Sequence, residues 1–134
     1  MRFLLDTNAC VDHLRSRGTS TLSRRFAAAA NDVGVCTVVR TELMFGALRS
    51  RNVQKNVADV RSFLAPLTSL PFDDAAADAC ADIRAALAQH GTPIGPNDAM
   101  IAAIAIANRV TLVTHNTREF SRISGLLLDD WQAP

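Results

Sequence analysis

Tyrosine is absent from this 134-residue chain, and tryptophan occurs once, as Trp131, beside six phenylalanines. A sheet that stacks nucleobases on exposed aromatic rings is therefore not expected. Lysine is nearly missing too, with Lys55 the single one against thirteen arginines. The three cysteines, Cys10, Cys36 and Cys80, are widely spaced and form no C-x-x-C pair. That spacing suggests neither a disulfide framework nor a thiolate zinc site, and leaves them as small buried apolar residues. No apolar run approaches the roughly 18 residues that read as a membrane-spanning helix. The opening Met1-Arg2-Phe3-Leu4-Leu5 run is too short for a secretory leader and an acid follows it directly, so a cytoplasmic protein is expected. Neither a P-loop nor a G-x-G-x-x-G is present, and nucleotide binding has no support.

What remains fits one globular domain over residues 1–134, at roughly 100–200 residues per domain. Hydrophobic residues make up 49% and charged residues 20%, an ordinary balance for a chain that can build a core without staples. The net charge of +1 hides an uneven distribution. Nine cations face three acids between Arg15 and Arg61, whereas four arginines face eight acids from Ser62 onward. The basic stretch either faces phosphates or forms the solvated faces of helices. Arginine's forked guanidinium suits bidentate phosphate contact.

Short apolar runs alternate with helical periods. Arg2-Phe3-Leu4-Leu5 reads as a buried strand ended by Asp6-Thr7-Asn8, with a helical period starting at Val11 and Leu14 and stopping at Gly18. A cap within Thr19-Ser20-Thr21 opens a second helix. Val33-Gly34-Val35-Cys36 is a second strand, and Thr37 is placed to cap a helix carrying Val39, Leu43 and Ala47. A further helix runs through Val53, Val57, Val60 and Leu64 to Pro66, followed by a weak strand over Leu67 to Phe72. Asp73-Asp74 opens the next helix. Pro96 suits the first turn of an almost wholly apolar helix over Asp98 to Asn108, which should be buried. Thr111 to Thr114 and Leu126 to Leu128 are the last strands. Such alternation implies an α/β sandwich around a mainly parallel sheet of four to five short strands flanked by helices.

In an open parallel sheet, chemistry gathers at the carboxyl ends of the strands. Asp6 ends the first strand, Glu42 rides the helix after the second, Asp98 lies in the first turn of the apolar helix, and Glu119 follows the strand ending at Thr114. Converging carboxylates repel and resist desolvation unless a divalent cation neutralises them. Oxygen-only ligands point to Mg²⁺ or Mn²⁺. Each acid also has a plainer role: Asp98 complements a helix dipole, Glu42 and Glu119 are solvated charges. Asp6 is hardest to place that way, because a charge ending a buried strand needs a partner.

Four segments carry a resemblance. Leu4-Leu5-Asp6-Thr7-Asn8, the stretch around Glu42 from Val39 to Ala47, Gly95-Pro96-Asn97-Asp98-Ala99 and Leu112-Val113-Thr114-His115-Asn116-Thr117-Arg118-Glu119-Phe120 resemble, in order and spacing, the motifs of PIN-domain ribonucleases. The resemblance is nearest to VapC toxins of type II toxin–antitoxin modules. The Gly91-Thr92-Pro93-Ile94-Gly95-Pro96 segment and the terminal Asp129-Asp130-Trp131 are similar to the branch that cuts initiator tRNA. It implies a PIN-like three-layer sandwich and an endoribonuclease using Mg²⁺ or Mn²⁺ held by Asp6, Glu42, Asp98 and Glu119. Asn8, Thr114 and Asn116 would orient those carboxylates or a water. Many relatives have Asp where Asn116 stands, which makes Glu119 the fourth acid here. The resemblance further implies a homodimer and a VapB-type antitoxin whose C-terminal segment wraps the toxin.

Arg24, Arg25, Arg40 and Arg49 are candidate RNA contacts. The histidines are poor catalytic candidates, and only His115 falls near the proposed site. Receiver and haloacid-dehalogenase folds fit less well, because Asp6 stands alone after the first strand. The remaining rival is a PIN fold that binds RNA or a partner without cutting it.

Overall fold

The computed structural model describes all residues 1–134. Its sheet has five parallel strands: β1 (Phe3–Leu5), β2 (Val33–Cys36), β3 (Thr68–Leu70), β4 (Thr111–Val113) and β5 (Leu128–Asp129). Seven helices connect them: α1 (Thr7–Arg15), α2 (Thr21–Ala28), α3 (Thr37–Leu48), α4 (Val53–Leu64), α5 (Asp74–Gln89), α6 (Pro96–Asn108) and α7 (Thr117–Phe120). The α/β class and parallel sheet inferred from the alternation are those observed.

The strand order is β3-β2-β1-β4-β5. The chain therefore builds outward from β1 through β2 to β3, then returns to the other side of β1 for β4. Right-handed crossovers place α1 to α4 over one face and α5 to α7 over the other. The direction of winding thus reverses between neighbouring β1 and β4, and in an open parallel sheet the carboxyl ends at such a reversal are where a binding crevice is expected.

Leu4, Leu5, Val35, Leu112 and Val113 are fully buried between the layers. Gly34 lets β2 sit close to β3, since a Cβ there would stand 2.7 Å from the Thr68 carbonyl oxygen. From α6, the run Ile101 to Ala105 is buried almost completely, as its all-round apolar surface requires. The three cysteines are free and buried.

Several boundaries differ from the sequence reading, for local reasons. Helix α1 begins at Thr7 rather than near Val11, because the Asp6 side chain accepts the Ala9 N–H and caps it. Thr37 caps nothing: Cys36 holds the N-cap position of α3 and gives no side-chain cap bond. Helix α6 starts at Pro96, whose ring fits the first turn. The last strand slides from Leu126–Leu128 to Leu128–Asp129, where it pairs with Leu112 and Val113. The polar stretch around Glu119 forms the single turn α7.

Candidate active site

Asp6 leaves β1 at the crevice and is 5% exposed. Its Oδ1 accepts the Ala9 N–H at 2.8 Å. Burial pushes its carboxyl above the usual carboxylate range, and the negative charges of Glu42 and Asp130 push the same way; hydrogen bonding from the Thr114 hydroxyl and the Ala9 N–H only partly offsets them. Thr114, buried just past β4, also accepts the Asn116 backbone N–H through Oγ1 at 3.0 Å.

The other acids arrive on helices. Glu42 is half-buried on α3, and the Thr7 hydroxyl donates to its Oε1 at 2.7 Å, tying α3 to the start of α1. Glu119 is half-buried on α7, where Asn116 Nδ2 donates to Oε2 at 2.6 Å. Asp98 is half-buried in the first turn of α6. Its carboxyl is raised by burial first, then by Glu42, Glu119 and Asp6. Asp98 therefore feels the charges of the other three acids, and Asp6 feels that of Glu42, although 113 residues separate Asp6 from Glu119 in the sequence.

No three of these carboxylates form a ready-made cage around an ion. Mg²⁺, however, usually keeps several waters and takes only one or two protein carboxylates directly. Thr7 and Asn116 each engage one oxygen of Glu42 and Glu119, leaving the second oxygen free of that bond. Two carboxyls raised by burial and by neighbouring acids gain from a cation that relieves the repulsion. The all-oxygen donor set thus fits a hydrated Mg²⁺ or Mn²⁺.

The supporting residues are distributed differently from the sequence reading. Asn8 is exposed on α1 and enters none of these hydrogen bonds, while its neighbour Thr7 holds Glu42. Thr114 and Asn116 stand beside Asp6 and Glu119 respectively. Arg24, Arg25, Arg40 and Arg49 are all exposed. Arg25 Nη1 is engaged at 2.9 Å with the Asp130 carbonyl oxygen, and Arg24 Nη2 reaches the Thr21 hydroxyl at 3.4 Å. Arg49 lies over the Phe45 ring, 5.7 Å from its centroid. None of the four lines the cleft of about 890 Å³ between α1, α3 and α4 that has Glu42 in its wall. Arg15 and Arg17 do line it; so does Lys55, which is paired with Asp59 at 2.7 Å.

Known proteins give the same architecture. A family model described as PIN domain matches residues 3–126. The chain is 37% identical over 131 residues, 98% of each sequence, to the tRNA(fMet)-specific endonuclease VapC of Shigella flexneri. The chain belongs to the VapC family of PIN-domain proteins. It is also 34% identical over 132 residues to Ribonuclease VapC2 of Rickettsia felis, again covering 98% of each. Among solved structures, the DNA-bound VapBC of Salmonella typhimurium superposes with a TM-score of 0.93 at 37% identity over 98% of both chains. VapBC2 of Rickettsia felis bound to a promoter fragment gives 0.91 at 32% identity, covering 98% of this chain and 99% of the other. This VapC-family chain thus shares its topology with those relatives from end to end.

Proposed function

We propose that the chain, one PIN domain over residues 1–134, is the toxin of a VapBC module. It acts as an Mg²⁺- or Mn²⁺-dependent endoribonuclease that cuts initiator tRNA in its anticodon region and so stops translation and growth. The observation that carries the reading is buried Asp6 at the end of β1, with Glu42 close enough to raise its carboxyl, and Asp98 on α6, raised in turn by Glu42, Glu119 and Asp6. Full-length similarity to a tRNA(fMet)-specific endonuclease supports the substrate class. Solved VapBC complexes among the structural relatives support a VapB-type antitoxin as partner. A homodimer and a cytoplasmic location complete the reading, and no helix is long and apolar enough to cross a membrane.

Asp6, Glu42, Asp98 and Glu119 would hold the metal, directly or through water. When bound, it supplies neutralisation of charge on the scissile phosphate and acidifies an attacking water. The protein's own part is placement. The Ala9 N–H holds Asp6 in its buried position. Thr7 and Asn116 restrict Glu42 and Glu119 to one orientation each, so the carboxylates need little reorganisation when RNA arrives. Water attack on phosphorus, with departure of the 3′-oxygen and its protonation, leaves 5′-phosphate and 3′-hydroxyl ends.

The test is a metal titration on end-labelled initiator tRNA, with and without EDTA. Cleavage should appear with Mg²⁺ or Mn²⁺, vanish in EDTA, and be abolished in a folded Asp98→Asn variant. Cleavage that persists in that variant contradicts the mechanism. Binding without any cleavage by the wild type favours the silent PIN-fold reading.

A further inference from the structure

His115 lies between the two residues that support the acids at the end of β4. Thr114 precedes it against Asp6, and Asn116 follows it, donating to Glu119. His115 Nδ1 is 2.9 Å from Asp130 Oδ2. Asp130 follows β5, the strand paired with β4, and it is firmly held. Its Oδ1 accepts the Gln132 N–H at 2.9 Å, and Arg25 binds its carbonyl oxygen. On either side, Trp131 is buried against Phe3 and donates through Nε1 to Asp129 Oδ2 at 3.0 Å. Burial works to raise the Asp130 carboxyl, yet the Gln132 N–H, His115 and the Ala133 N–H hold it below the usual range. An ionised carboxylate only accepts, so Nδ1 carries the hydrogen in this pair.

This fixes what the ring offers. The His115 side chain is 65% exposed, against 21% for its partner. With Nδ1–H given to Asp130, the neutral ring has Nε2 as a lone-pair acceptor. A phosphate has no proton to give such an acceptor. A ribose 2′-hydroxyl and a base N–H both do, and of the two only the hydroxyl is carried by every nucleotide of an RNA strand and sits on the backbone beside the phosphate. Asn116, next to His115 in the chain, donates to Glu119, which puts the pair beside the acids.

We infer that His115, held by Asp130, contacts a ribose 2′-hydroxyl of the RNA next to the scissile phosphate, and so reads RNA rather than DNA at that nucleotide. Asp130 is a positioning residue in this arrangement. The inference rests on the ribonuclease reading above and adds a substrate contact to it.

The experiment uses a short RNA spanning the bond that the wild type cuts in initiator tRNA, and four versions each carrying one 2′-deoxy nucleotide at the two positions on either side. kcat and KM are measured at pH 8 with Mg²⁺ for the wild type, His115→Ala and Asp130→Asn. One deoxy substitution should reduce wild-type kcat/KM about five- to tenfold, the loss of one hydrogen bond. The same substitution should cost His115→Ala nothing further, and that variant should show the loss on the all-ribose RNA. Asp130→Asn should raise KM with kcat little changed and blunt the discrimination. His115 is exposed, so its Ala variant should melt with the wild type, and it decides the outcome if Asp130→Asn loosens the C-terminal turn. A wild type indifferent to all four substitutions, or a His115→Ala variant that still discriminates, overturns the contact while leaving the nuclease reading intact. A wild type that cuts no RNA overturns both.

Discussion

Asp6 has two duties that pull in opposite directions, and replacing it separates them. Its side chain caps α1 through the Ala9 N–H. Its charge, buried near Glu42 and Asp130, is unfavourable without a cation. Asp6→Asn keeps an oxygen for the Ala9 N–H and removes the charge. In EDTA at neutral pH this variant should melt higher than the wild type. Asp6→Ala also removes the charge, but it loses a cap of about 1 kcal/mol. At about 3–5 °C per kcal/mol for a chain of this length, it should melt about 3–5 °C below Asp6→Asn. Added Mg²⁺ should reverse the first order. At a hundred times Kd the wild type gains about 2.7 kcal/mol, or about 8–13 °C, and Asp6→Asn gains far less. Acid should narrow the gap in EDTA. The folded-state pKa of Asp6 is raised above its unfolded value, so the stability of its neutral form is fully present below the unfolded pKa and is lost as pH rises through the folded one. Melts followed by circular dichroism with and without Mg²⁺ measure all of this. Equal melting of wild type and Asp6→Asn in EDTA, or equal gains in Mg²⁺, would refute the reasoning.

The remaining expectations concern the residues around the acids. Asn116→Ala frees Glu119 and should lower kcat/KM on RNA, or metal affinity, about 10- to 100-fold; unchanged kinetics would show that Glu119 needs no such hold. Thr7→Val should produce a loss of the same kind through Glu42, with little change in the melt, and a large drop in stability would point to a packing role instead. Reversing Arg24 and Arg25 to Glu should weaken RNA binding and flatten its dependence on salt, measured by fluorescence anisotropy between low and moderate ionic strength. A salt slope equal to that of the wild type would remove both from the RNA surface and leave Arg25 as a tie to the C-terminal turn.

Local chemistry made most of the fold legible in the sequence. The apolar runs read at Arg2–Leu5 and Val33–Cys36 hold β1, one residue shorter, and β2; Ser20 and Asp73 cap their helices, and Pro96 opens α6. The misplacements arose where a distant partner decides the outcome. Strand β5 follows its pairing with β4 rather than its own leucines. Four residues around Glu119 coil into α7, too short a stretch to show a helical period. The candidate acids could be picked from motif order, but their supports could not. Thr7 meets Glu42 across 35 positions of sequence, and His115 meets Asp130 only because β4 and β5 lie side by side. Asn8, equally polar and next to Thr7, points to no difference in the sequence alone; the turn of α1 leaves it exposed.

Crystals soaked in Mn²⁺ and measured for anomalous scattering test the central claim most directly. The account predicts a peak within reach, directly or through ordered water, of the Asp6, Glu42, Asp98 and Glu119 carboxylates, and its loss in Asp98→Asn crystals. A map without density there at saturating Mn²⁺, or a peak unchanged in Asp98→Asn, would contradict it.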